Sequence, residues 1–143
     1  MLKSEKRIDP SNMSSKVKHL EFILSVVDRM AKNSFLLKSW AATLITGFTA
    51  LSAGSFSRGH VYFSITLLVS FALLDSYYLS KERAFRDLYD DTRVKDEADI
   101  DYSLNIKHLL SFSGWAKSTF SASVLLFYGG LFIAQLLLIF NLT

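Results

Sequence analysis

KSWAATLITGFTALSAGSFSRGHVYFSITLLVSFALLDSYYLSK, Lys38–Lys81, holds two apolar runs joined by a short polar turn. The runs are Ser39–Phe56 and His60–Leu79, each close to the ~20 residues that an α-helix needs to cross a bilayer's hydrocarbon. A third run, Thr119–Leu142, follows a long charged segment. Among the three, Asp75 is the only formal charge. A soluble core scatters its polar residues by helical or strand period, whereas here they are set apart in blocks. The expected fold class is therefore all-α, an integral membrane protein with three transmembrane helices. No strand-like alternation of the kind a β-barrel requires interrupts the runs.

Composition narrows the function. Half of the residues are hydrophobic and 20% are charged, with the charge concentrated in Met1–Lys38 and Lys81–Lys117. There is no cysteine, which excludes disulfides, thiolate chemistry and Cys-based zinc sites. The first apolar run begins after nearly forty residues of mixed charge, far beyond a signal peptide's n-region, so it reads as a retained span. Basic residues are dense before the first run and between the second and third, while the short turn offers only Arg58. The positive-inside rule then places the N-terminus and the long loop in the cytoplasm, and the short loop and the C-terminus outside.

Residues 1–14 read as a mobile arm holding the sole proline, Pro10. Residues 15–143 read as one membrane domain. Within it, residues 15–38 form an amphipathic helix capped by Ser14 or Ser15, with an apolar stripe of Val17, Leu20, Leu24, Val27 and Met30 or Ala31. No breaker separates this helix from the first span. The second span also continues below the membrane, where Lys81–Arg93 carries the i,i+4 pairs Glu82–Arg86, Arg83–Asp87 and Arg86–Asp90 beside an apolar side of Phe85, Leu88 and Tyr89. The picture is a long helical hairpin extended into the cytoplasm. With a pivot near Ser57–Arg58, positions adding to about 115 lie at equal depth, given ~1.5 Å per helical residue. That brings Lys38 and Trp40 level with Asp75 and Tyr77. An acidic link, Asp96–Asp101, leads into a helix at the membrane interface over Tyr102–Lys117, within the 80–118 connection.

Three groups carry candidate chemistry. Asp75 is costly inside a span, and it serves either as a structural partner of Lys38 or the Trp40 indole, or in an ion pathway or gate with Lys38. Ser39, Thr43, Thr46, Ala50 and Ala53 share one face of the first span. That face either packs against a neighbouring span or lines a narrow polar pore in an oligomer. Gly130 and Ala134, near Gln135, make a weaker packing pair in the third span. Lys16, Lys18, His19, Arg29 and Lys32 give the N-terminal helix a cationic surface, suited to anionic lipid or to a nucleotide's phosphates. His19, His60 and His108 have no metal-ligand spacing, and there is no phosphate loop or nucleophile elbow. Neither catalysis nor a metal or cofactor is expected.

Two stretches, HLEFILSVVDRMAKNSFLLKSW at His19–Trp40 and LLDSYYLSKERAFRDLYDDTR at Leu73–Arg93, resemble small bacterial membrane proteins found among anti-phage defence genes. These include the membrane effector partnered with a nucleotidyltransferase in Hailong-type systems. The two stretches together hold 43 of the 143 residues. It implies a homo-oligomeric ion channel for antiviral defence by abortive infection. A nucleotidyltransferase partner would make a nucleotide or oligonucleotide signal, whose binding opens the pore and depolarises the cell. The alternative is a non-conducting membrane anchor or assembly subunit that recruits a cytosolic partner.

Overall fold

The computed structural model describes residues 14–51 and 58–142, which hold helices and no strand. The arm before Ser14, Ala53, the last residues of the first apolar run and Ser57 lie outside the described residues. Helix α1 runs unbroken over Ser15–Leu51 and α2 over Arg58–Val94, each of 37 residues. At ~1.5 Å per residue each is roughly 55 Å long, nearly twice a hydrocarbon core. Ser14 caps α1, its hydroxyl accepting from the Val17 amide at 3.4 Å. Helices α3 (Phe112–Thr119) and α4 (Ala122–Leu142) follow, bent by 49° at the intervening break. Two helices are long and apolar enough to cross a membrane, or three if the bent pair counts as one span.

The hairpin packs along its whole described length. On α2, Val61, Leu68, Asp75, Glu82 and Tyr89 recur at seven-residue steps, and so do Ser64, Phe71, Tyr78, Phe85 and Thr92. All ten are buried or half-buried. Two such rows make the seam of a coiled coil. The contacting pairs Lys38–Asp75 and Phe48–Phe63 have residue numbers adding to 113 and 111, so the register sits a few residues from the expected 115.

The buried face of α1 differs from the expected stripe. Of that stripe Val27 is buried and Leu20, Met30 and Ala31 are half-buried, but Val17 and Leu24 are 40% and 43% exposed, and Ile23 and Val26 are buried in their stead. Both sets follow helical spacing. What α2 and the connection after it cover decides between them. Toward the other end, Ala41, Ile45 and Leu68 join Val124 and Tyr128 of α4 in one apolar cluster. Of the expected α2 pairs, Glu82–Arg86 forms at 2.8 Å. Asp90 pairs with Arg93 instead of Arg86, and Arg83 turns away to Ser118.

The connection is not the helix expected over Tyr102–Lys117. Only Phe112–Thr119 is helical, capped by Ser111, whose hydroxyl accepts from the Gly114 amide at 3.0 Å. Upstream, Ser103 Oγ accepts from the Asn105 amide and Asn105 Oδ1 from the Lys107 amide. Such side-chain bonds offer the backbone an alternative to a helix. Tyr102 lies in the left-handed region at φ 43°, which a bulky side chain rarely adopts. Its ring meets His19 edge-on at 5.4 Å. The segment thus straps the N-terminal end of α1. There the Lys16 ammonium also donates to the Lys95 carbonyl at 2.5 Å.

Candidate functional site

Helical spacing puts Ser34 and Lys38, four residues apart, on the α1 face that meets Asp75 in the α2 seam. Lys38 Nζ lies 2.5 Å from Asp75 Oδ2 and 2.9 Å from Ser34 Oγ, and the Ser34 hydroxyl donates to Asp75 Oδ1. The three groups form a closed triangle. Both carboxylate oxygens are satisfied, as a fully buried Asp75 requires. The Trp40 indole, the other expected partner, faces outward at 58% exposure.

A third helix reaches this triangle. The Tyr128 hydroxyl of α4 donates to the Phe71 carbonyl at 3.3 Å and lies in the field of the Asp75 carboxylate. Ser34 and Tyr128 carry no charge and sit on different helices, so no sequence motif marks them. The only hint of Tyr128 is a phenol placed mid-way in an apolar run.

Among the described residues, the small-residue face of α1 is left exposed. Ser39, Thr43, Thr46 and Ala50 are exposed, and so is Gly47. At about 100° per residue, the exposed arc of α1 divides in two. Leu36, Trp40, Leu44 and Leu51 form one strip, and Ser39, Thr43, Thr46 and Ala50 the adjoining one. Ser39 and Thr43 donate their hydroxyls back to the carbonyls of Phe35 and Ser39. Thr46 makes no such bond among the described residues. In α4, Gly130 and Ala134 likewise face outward, and a Cβ at Gly130 would meet nothing within 4 Å.

The cationic set of the N-terminal helix divides as well. Lys18, Arg29 and Lys32 are exposed on one face. Lys16 and His19 lie on the opposite face and are engaged by the strap. The set is therefore not one continuous surface. His19 and His108 both line a small cavity of about 110 Å³ beneath the strap with Asp91 and Asp101. No group of three or more His, Asp or Glu side chains is arranged to hold a metal among the described residues.

Many of the exposed large hydrophobic side chains form a belt around the three-helix end. Phe35, Leu36, Trp40 and Leu44 contribute from α1; Tyr62, Phe63, Leu73 and Tyr77 from α2; Leu126, Ile133 and Phe140 from α4. A surface so apolar is the inverse of a soluble protein's and marks contact with lipid or protein. The triangle lies inside the belt near one edge. Lys32, Lys81, Arg83 and Lys117 follow just beyond it. No protein-family model, curated protein or solved structure matches this chain.

Proposed function

We propose that this chain inserts its apolar belt in a membrane, and that several copies assemble into a channel opened from the cytoplasmic side. The observation that carries this reading is the uncovered hydroxyl strip of α1, Ser39, Thr43 and Thr46, beside the apolar strip of the same helix. Lipid is a poor neighbour for the Thr46 hydroxyl, which makes no bond among the described residues. Water or a second copy satisfies it. A protomer with three membrane helices is too small to enclose an aqueous path, so a pore requires symmetric assembly.

The hairpin supplies the coupling. Its cytoplasmic half is held by burial of Ile23, Val26, Val27 and Ala84, which water drives. Within lipid that force is absent, and packing and polar contacts take over. The Ser34–Lys38–Asp75 triangle stands where the two regimes meet. A signal bound below shifts the channel only as far as it prefers one arrangement of the hairpin.

The resemblance of His19–Trp40 and Leu73–Arg93 supplies the setting: a bacterial inner membrane, a nucleotidyltransferase partner, a nucleotide-derived signal and depolarisation of the infected cell. Lys18, Arg29 and Lys32 are the exposed cations for such a signal or for anionic lipid. The test is ion flux from liposomes holding the purified chain, together with its oligomeric state in detergent. A strict monomer without flux rejects the channel.

A second reading, a non-conducting anchor, is favoured by Phe22, which is 55% exposed on the cytoplasmic half of α1. Recruitment through that half tolerates deletion of α4, whereas a channel does not.

A further inference from the structure

Below the belt, a groove of about 160 Å³ opens between α2 and α3. Ser80, Arg83 and Asp87 line it from one face of α2, and Trp115, Lys117 and Ser118 from α3. Arg83 Nη1 donates to Ser118 Oγ at 3.3 Å. Ser118 is itself fully buried, its hydroxyl donating to the Gly114 carbonyl at 3.0 Å. One edge of the guanidinium is thereby fixed to α3. Its remaining N–H donors have no protein partner among the described residues, and neither has the Lys117 ammonium.

Asp87 lies one turn from Arg83, at the spacing where the two would pair on an isolated helix. They do not pair, because Arg83 has turned to α3. The groove therefore presents two cations and one carboxylate, none neutralised by another. An inorganic anion would leave the carboxylate opposed. A group with a phosphate at one end and a primary ammonium at the other satisfies all three.

Depth decides the source of that group. Lys117 precedes α4 by less than two turns, and Arg83 stands just past Tyr77, the last exposed large hydrophobic of the belt on α2. Phe112 and Phe120 lie exposed at the two ends of α3. On the membrane reading above, on which this inference rests, the groove lies at headgroup level. We infer that it binds the headgroup of an aminophospholipid, with the phosphate on Arg83 and Lys117 and the ammonium on Asp87. Planar, multi-donor guanidinium suits phosphate oxygens, and a carboxylate accepts from an ammonium but not from a quaternary amine.

Native mass spectrometry of the delipidated full chain tests this, with titration by phosphatidylethanolamine, phosphatidylglycerol and phosphatidylcholine. Soluble phosphoethanolamine and inorganic phosphate serve as competitors. One phosphatidylethanolamine per protomer is expected to be retained at least about tenfold more tightly than the other two lipids, the scale of one charge-assisted hydrogen bond. Asp87→Asn should erase that preference while keeping phosphate-dependent binding, and Lys117→Gln should weaken all three lipids. Both residues are exposed, so neither change threatens the fold. Equal binding of the three lipids, an unchanged preference in Asp87→Asn, or equal competition by soluble phosphoethanolamine overturns the inference. Flotation with vesicles separates the two readings. A chain that does not float removes both, and one that floats without lipid preference removes this one alone.

Discussion

Lys38 Nζ stands 2.5 Å from Asp75 Oδ2, an ion pair that ties α1 to α2 with the carboxylate fully buried. Removing the cation leaves an uncompensated charge in a low dielectric. Lys38→Met should destabilise the chain by about 3 kcal/mol or more, while Lys38→Met with Asp75→Leu regains most of that loss. Unfolding in mixed detergent micelles measures both. Equal losses in the single and double variants would show that the pair is not what holds this point.

Tyr128 touches the same site with less at stake. Its hydroxyl makes one 3.3 Å bond, to a helix carbonyl. Tyr128→Phe should cost no more than about 1 kcal/mol. Tyr128→Ala removes a buried ring from the apolar cluster and should cost about 3–5 kcal/mol by the same measurement.

In the half of the hairpin away from the apolar belt, the two neighbours Phe22 and Ile23 face opposite ways. Ile23 is fully buried, so Ile23→Ala should cost about 2–5 kcal/mol. Phe22→Ala should stay within about 0.5 kcal/mol of the parent chain. Should a partner dock on α1, the Phe22 change would instead appear as lost binding in a pull-down with that partner.

The strap predicts a pattern at Tyr102. Tyr102→Ala keeps the left-handed backbone and loses the His19 contact, so the segment after α2 should open. Tyr102→Gly also loses the ring but relieves a backbone cost of order 1 kcal/mol. Limited trypsin digestion at Lys95 and Lys107 should therefore be fastest in Tyr102→Ala, with Tyr102→Gly between it and the parent.

The hairpin and the Lys38–Asp75 pair were legible in the sequence because charge is scarce inside the apolar runs. One acid in a span, with one cation near its depth, leaves little choice of partner. The buried face of α1 was harder to read. Val17, Leu24, Ile23 and Val26 all sit at helical spacings, and only the position of α2 and the strap selects among them. The α2 seam was hidden by its polar members, since Ser64, Asp75, Glu82 and Thr92 break the hydrophobic count of a heptad. Tyr102–Ser111 read as helix by composition, yet local bonds from Ser103 and Asn105 turn it. Arg83 was assigned to Asp87 by spacing, but Ser118 lies 35 residues away and only tertiary packing brings it near.

The hydroxyl strip of α1 carries the central claim, and the chain's lack of cysteine makes it directly testable. Thr43→Cys and Thr46→Cys, with Leu126→Cys as a belt control on α4, can be reconstituted singly in liposomes. Each is then exposed to a charged, membrane-impermeant thiol reagent while ion flux is recorded. If the strip lines an aqueous path, both threonine-site variants react and flux falls, whereas Leu126→Cys stays unmodified. Thr43→Cys and Thr46→Cys as protected as Leu126→Cys, with flux unchanged, would contradict the account.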